Sequence, residues 1–120
     1  MLVNTNFKGA YFTIQKLLPV LKEGSSVVLN RSYAVHSGDP AMSAYVASKA
    51  VLNSLAKTLS RDLLSRRIRV NVVNPGPVAI PIIAKTGVPA DMVDDIMKAH
   101  VPVGRIGRVD EITGYVAFLL

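Results

Sequence analysis

The 120-residue sequence contains no cysteine and no tryptophan, and only two histidines, His36 and His100. The missing cysteines exclude a disulfide-stapled secreted module, a zinc finger and a thiol nucleophile. Two histidines are little material for a histidine-rich metal site, and no metal is expected. No apolar run approaches the roughly 18 residues of a membrane span, because Pro75, Pro77 and Pro81 interrupt the most apolar stretch. The first ten residues, Met1 to Ala10, lack the basic-then-apolar layout of a signal peptide. Charged residues make up only 18% of the chain against 50% hydrophobic ones, which excludes a disordered polymer. A reducing, cytoplasmic setting without membrane attachment is therefore the expectation.

Acidic residues are also scarce: 8 Asp and Glu face 14 Lys and Arg, a net charge of +6. A basic surplus can serve nucleic acid or an anionic small molecule. Here the cations are scattered apart from Arg61, Arg66, Arg67 and Arg69, and no aromatic residues are interleaved with them. They read as a solvated face, and nucleic acid is not expected as a partner. The length allows one small domain, residues 1–120.

Periodicity places the elements. Phe7, Ala10, Tyr11, Ile14, Leu17, Leu18 and Leu21 follow an amphipathic helical pattern, with Pro19 as a kink or early end and Gly24 as a stop. Ser26–Asn30 reads as a strand without polar alternation, as in a parallel sheet covered on both faces. A polar loop from Arg31 to Met42 leads to a long helix from about Ser43 to Arg66, striped by Leu52, Leu55, Leu59 and Leu63. Arg66 and Arg67 would complement the helix dipole at its C-terminal end. Ile68–Val73 is a second strand, stopped by Asn74-Pro75-Gly76. Pro89 to His100 reads as a short helix, and Asp110 as the N-cap of a last helix, Glu111 to Leu120. Helix–strand–helix–strand–helix with buried-type strands indicates an α/β domain with a parallel sheet. Two strands are few for such a sheet, so the chain reads as a fragment or as one that takes strands from a partner.

The strongest chemical signal is Tyr45-Val46-Ala47-Ser48-Lys49. Side chains four apart on a helix are neighbours. A free phenol is a poor base at neutral pH; an ammonium nearby favours phenolate and suits the pair to proton transfer at a carbonyl or alcohol. Alone, the spacing equally fits a solvated lysine beside a half-buried tyrosine. Ser32 adds weight. It stands just past the first strand, at the carboxyl end where parallel α/β sheets bind ligands, and a hydroxyl there can polarise a substrate oxygen.

Asn6-Phe7-Lys8-Gly9, Val28-Leu29-Asn30-Arg31-Ser32, Tyr45-Val46-Ala47-Ser48-Lys49-Ala50, Ile68-Arg69-Val70-Asn71, Asn74-Pro75-Gly76-Pro77 and Gly104-Arg105-Ile106-Gly107-Arg108 occur in that order. Together they resemble the short-chain dehydrogenase/reductase family over nearly the whole chain. The thirteen positions from Ser32 to Tyr45 are the family's own spacing. The resemblance implies a Rossmann-like parallel sheet flanked by helices, incomplete here, with the N-terminal βαβ units and the last strand missing. It implies an NAD- or NADP-dependent oxidoreductase that interconverts an alcohol and a ketone or aldehyde. Tyr45 would be the acid/base. Lys49 would ease its proton release and hydrogen-bond the nicotinamide ribose, and Ser32 would hold the substrate oxygen. Asn6 would belong to the catalytic set through a helix kink and a bound water. Pro75, Gly76 and Val78 would line the nicotinamide end of the cofactor. A small alcohol or carbonyl substrate, and a homodimer or homotetramer built on the helices that begin at Asn6 and Tyr45, also follow from the resemblance.

Three departures stand out. No Gly-x-x-x-Gly-x-Gly turn is present to let a helix N-terminus approach a pyrophosphate. The chain thus resembles the middle and C-terminal part of a family member, and a truncated, non-catalytic fragment is the alternative. Ile80 stands where the family usually places a threonine that hydrogen-bonds the cofactor. Arg31, beside Ser32, is bulkier and more charged than expected there; among an anionic substrate, a cofactor phosphate and solvent, the expectation is that it snorkels to solvent. Residues 79–103 match the family's variable substrate lid, where Ile80, Ile82, Ile83, Met92 and Ile96 suggest either an apolar wall against substrate or plain helix packing. His100 is expected at the surface.

Overall fold

The computed structural model of the chain describes residues 1–81, 89–99 and 101–120. Ile82, Ile83 and His100 lie outside them. The described chain divides into two compact units, one of residues 1–74 with 119–120, the other of residues 75–118.

The first unit opens with a π-helical segment, Asn4–Gly9, that runs into helix α1, Ala10–Leu17. The sequence pattern allowed a kink only at Pro19. The wider π turn falls instead at the Asn-x-x-Gly stretch, and the helix ends two residues before Pro19. Gly24, at φ 78°, then turns the chain into strand β1, Ser26–Asn30, a left-handed conformation that favours glycine. A four-residue helix, α2, Ala34–Ser37, interrupts what reads as a loop in the sequence. Helix α3 spans Ser43–Asp62 and closes with a 3-10 turn at Leu64–Arg66, so its regular part is shorter than expected. Strand β2, Arg69–Val73, follows.

β1 and β2 pair in parallel, from Ser26 opposite Arg69 to Asn30 opposite Val73. The crossover between them is α3, as a parallel pair requires. The core joins Ile14 of α1, Leu29 of β1 and Ala56 of α3, with Leu18, Val27, Leu55, Leu59, Val70 and Val72 packed around them. Ser48, Leu52 and Ala56 form the buried stripe of α3, at i, i+4 spacing. Leu55 and Leu59 are only half-buried.

Arg66 does more than complement the dipole of its own helix. Its Nη1 donates to the Leu18 carbonyl at 2.9 Å and its Nη2 to the Leu21 carbonyl. These carbonyls lie at the C-terminal end of α1, where a helix leaves acceptors unsatisfied. One cation thereby ties the end of α1 to the end of the crossover helix.

In the second unit, Val78 bridges Gly107. Helices α4, Ala90–Ala99, and α5, Val109–Leu119, follow the loop. Asp110 is not the N-cap of α5. It lies inside the first turn, where its carboxylate takes two hydrogen bonds from the Arg108 guanidinium, at 2.9 and 2.7 Å. Glu111 caps instead, accepting the Arg108 backbone N–H at 2.8 Å, the acidic half of a capping box. Arg105 grips the same carboxylate at 3.0 and 2.7 Å. The hydrogen bond from Arg105, helped by that from the Arg108 backbone, holds Glu111 down to about 2 from an ordinary 4.5. A lowered folded-state value means that the clamp stabilises the fold above about pH 4.5 and is lost as pH falls toward 2. We expect the Glu111 carboxyl resonance to titrate near pH 2, and Arg105→Ala to return it toward 4.5. A wild-type midpoint close to 4.5 would show that the clamp is absent in solution.

Candidate active site

Ser32 follows β1 by two residues, on the turn into α2, and α2 packs against α3. Tyr45 stands in the first turn of α3, with Lys49 one turn further along the same face. All three side chains are half-buried.

Their hydrogen bonding is incomplete. The Ser32 hydroxyl oxygen accepts the Ala34 N–H at 3.2 Å, which leaves its own proton to donate. The Lys49 ammonium spends one of its three donors on the Asn30 carbonyl, at 2.9 Å. The Tyr45 hydroxyl makes no hydrogen bond among the described residues. Polar groups with spare capacity at the carboxyl end of a parallel strand are suited to an oxygen-bearing ligand.

Asn6 reaches the same helix by a different route. Its Nδ2 donates to the Ser48 hydroxyl at 2.9 Å, and that hydroxyl donates to the Tyr45 carbonyl at 2.7 Å. Ser48, 2% exposed, and the Asn30 carbonyl were not singled out in the sequence. The signal for Ser48 was present: it is a polar residue at the inward position of a stripe continued by Leu52 and Ala56. A backbone acceptor such as Asn30 carries no sequence signal at all.

A cleft of about 460 Å³ lies between the π segment, β1 and α3, with Asn6, Asn30, Lys49 and Leu52 in its wall. All five residues of β1 line it, both pleat faces included, so it follows the strand's edge. Unpaired backbone groups along such an edge suit an added strand. Only the Asn30 and Lys49 end belongs to the candidate site.

Arg31 departs from the expectation. It is 8% exposed and does not snorkel. Its N–H continues the ladder by bonding the Val73 carbonyl at 2.9 Å, and its side chain contacts His36 and Asn74 rather than solvent.

Pro75, Gly76, Val78 and Met92 belong to the second unit. Pro75 is half-buried, Gly76 exposed. A Cβ at Gly76 would meet nothing within 4 Å, so open space remains there for a ligand. The bridge to Gly107 uses the Pro77 carbonyl and the Ala79 N–H, which leaves the N–H and carbonyl of Val78 unspent among the described residues. Ile80 is exposed, and Met92, 54% exposed, precedes the buried Val93. No helix among the described residues is long and apolar enough to cross a membrane.

Comparison with known proteins agrees with this architecture. A family profile described as enoyl-(acyl carrier protein) reductase matches residues 1–120. An uncharacterised short-chain type dehydrogenase/reductase of Sinorhizobium fredii is 40% identical over 95% of the chain and 21% of its own length. A 3-oxoacyl-[acyl-carrier-protein] reductase of Staphylococcus epidermidis is 37% identical over 98% of the chain and 48% of its own length. The crystal structure of a short-chain dehydrogenase family protein from Francisella tularensis superposes with a TM-score of 0.90 at 32% identity, over 98% of this chain and 52% of that one. An angucycline C-6 ketoreductase with bound NADP gives 0.89 at 29% identity, over 98% and 44%. The chain belongs to the short-chain dehydrogenase/reductase family, and its sheet and helices are part of that Rossmann-like fold. It spans about half the length, or less, of these relatives.

Proposed function

We propose that these residues form the proton-transfer and substrate-positioning part of an NAD- or NADP-dependent oxidoreductase that interconverts an alcohol and a ketone or aldehyde. The supporting observation is the set of unspent hydrogen-bonding groups on Ser32, Tyr45 and Lys49, carried by the carboxyl end of β1 and the start of α3. A nicotinamide cofactor supplies or accepts the hydride when bound. Ser32 donates its free proton to the substrate oxygen and stabilises charge that gathers there. In reduction Tyr45 gives its phenolic proton to that oxygen; in oxidation it removes the alcohol proton. Lys49 stabilises the negative charge left on the Tyr45 oxygen and keeps two donors for the nicotinamide ribose, while the Asn30 carbonyl fixes its position. Asn6 acts through Ser48 on the backbone at Tyr45.

The residues present fit the nicotinamide end of such a cofactor. Besides Tyr45 and Lys49, the free backbone groups of Val78 and the open space over Gly76 and Pro75 suit it. Ile82 and Met92 are assigned to the substrate side. The NADP bound to the ketoreductase relative supports the cofactor class. Residues 1–120 are read as one partial Rossmann-like domain. Exposed Tyr11, Phe12 and Val51 on α1 and α3 support pairing with a second copy as a homodimer or homotetramer. The absence of cysteine suits a cytoplasmic setting.

A second reading is favoured by the missing glycine-rich turn: the 120 residues hold the proton-transfer groups but bind no cofactor unaided. One experiment addresses both. NADH and NADPH are titrated against the purified chain by fluorescence, then ketone and aldehyde reduction is assayed with a glycine-rich nucleotide-binding half supplied in cis or in trans. Weak binding by the chain alone and cofactor oxidation in the completed form are expected. Micromolar or tighter binding by the chain alone removes the second reading. A completed form that binds cofactor yet reduces no carbonyl compound sinks the first.

A further inference from the structure

The guanidinium of Arg31 is the one buried charge of the chain core that the proposed chemistry does not use. Its Nη1 lies 3.3 Å from His36 Nε2 and 3.4 Å from Asn74 Oδ1, long contacts with partners that carry no formal negative charge. Its Nε is sealed from water and has no hydrogen-bond partner. Its Nη2 makes no hydrogen bond among the described residues. No carboxylate pairs with it there; Glu23 is taken by Arg67, Glu111 by Arg105 and Asp110 by Arg108. A guanidinium cannot shed its proton to escape this burial, and an uncompensated buried charge is strongly unfavourable.

The unsatisfied atoms are informative. Nε and Nη2 form the side-on edge by which arginine holds a planar oxyanion with two parallel hydrogen bonds. Arg31 continues β1 and Asn74 continues β2, so the guanidinium lies at the carboxyl ends of both parallel strands, the ligand-binding end of such a sheet. The next residue is Ser32, whose hydroxyl proton is free.

We infer that Arg31, positioned by His36 and Asn74, receives an oxyanion beside Ser32, and that this anion is the carboxylate of the substrate. The clause on the substrate rests on the function proposed above. The substrate is then an oxo acid or hydroxy acid with the carboxylate close to the reacting carbon, so that Arg31 holds one end and Ser32 the other. A cofactor phosphate shares the oxyanion chemistry, but the adjacency of Arg31 to Ser32 favours the substrate.

The decisive measurement needs no turnover. The Nε–H signal of Arg31 in the 120-residue chain is identified by its loss in Arg31→Lys. It is then followed by 15N-edited NMR during titration with acetate, inorganic phosphate and the neutral analogue acetamide at constant ionic strength. A saturable shift with acetate, absent with acetamide and confined to Arg31 among the arginines, is expected. A signal unmoved by acetate, whether or not phosphate moves it, overturns the assignment, as does an equal shift of all arginines. In a catalytically active form, the preference in kcat/KM for 2-oxobutanoate over butanone should fall about tenfold to a hundredfold in Arg31→Lys, the scale of a lost charge-assisted pair. An unchanged preference also overturns the assignment. Absence of turnover on both compounds counts instead against the oxidoreductase reading, and the NMR result stands apart from it.

Discussion

Tyr45→Phe is expected to lower carbonyl reduction by about a hundredfold to ten-thousandfold, the range spanned by removal of a general acid. The phenolic hydroxyl makes no hydrogen bond within the described chain. Its removal therefore breaks no internal contact, and the ring is kept. Folding stability should stay within about 0.5 kcal/mol of wild type. Turnover under saturating cofactor, alongside urea unfolding, checks both halves. Activity within tenfold of wild type would remove Tyr45 from the chemistry. A large loss of stability would show that the hydroxyl serves the fold.

Leu52→Ala should give the opposite pattern. Leu52 is 2% exposed and sits between Ser48 and Ala56 on the buried stripe of α3. Truncating it removes burial and opens a cavity, at a cost of about 2–5 kcal/mol. Thermal unfolding should fall by roughly 8 °C or more. The proton-transfer groups are untouched, so folded protein at low temperature should keep its per-molecule activity. A stability change under about 1 kcal/mol would mean that α3 does not pack on the sheet through this stripe. The contrast separates two roles within seven residues of one helix: Tyr45 is exposed enough to meet a ligand, while Leu52 anchors the helix that presents it.

Much of the fold was legible because local patterns and tertiary needs agreed. The β-branched run of β1 was bounded correctly, since a strand covered on both faces leaves an uninterrupted apolar signature. α3 was legible from its leucine stripe. Its end was not, because the 3-10 closure at Leu64–Arg66 depends on where Arg66 finds the α1 carbonyls, a long-range contact. The π turn at Asn4–Gly9 was invisible for a similar reason. Nothing in the residue spacing distinguishes a wide turn from a regular one, and Asn6 meets Ser48 forty-two residues later. Asp110 was misplaced as a cap because an acidic residue before an apolar run satisfies the local rule, while Arg108 claimed its carboxylate.

By itself, the sequence determined the residue types that carry the chemistry, their chain order, and the parallel α/β class, because those depend on spacing and periodicity. Only the tertiary structure decided which groups stay uncommitted. Ser32 keeps a proton because Ala34 donates to it, and Lys49 is pinned by a strand-end carbonyl. Arg31, expected in water, is held inside by His36 and Asn74. Hydrogen-bond capacity is spent through contacts between distant segments, and those contacts exist only once the chain has folded.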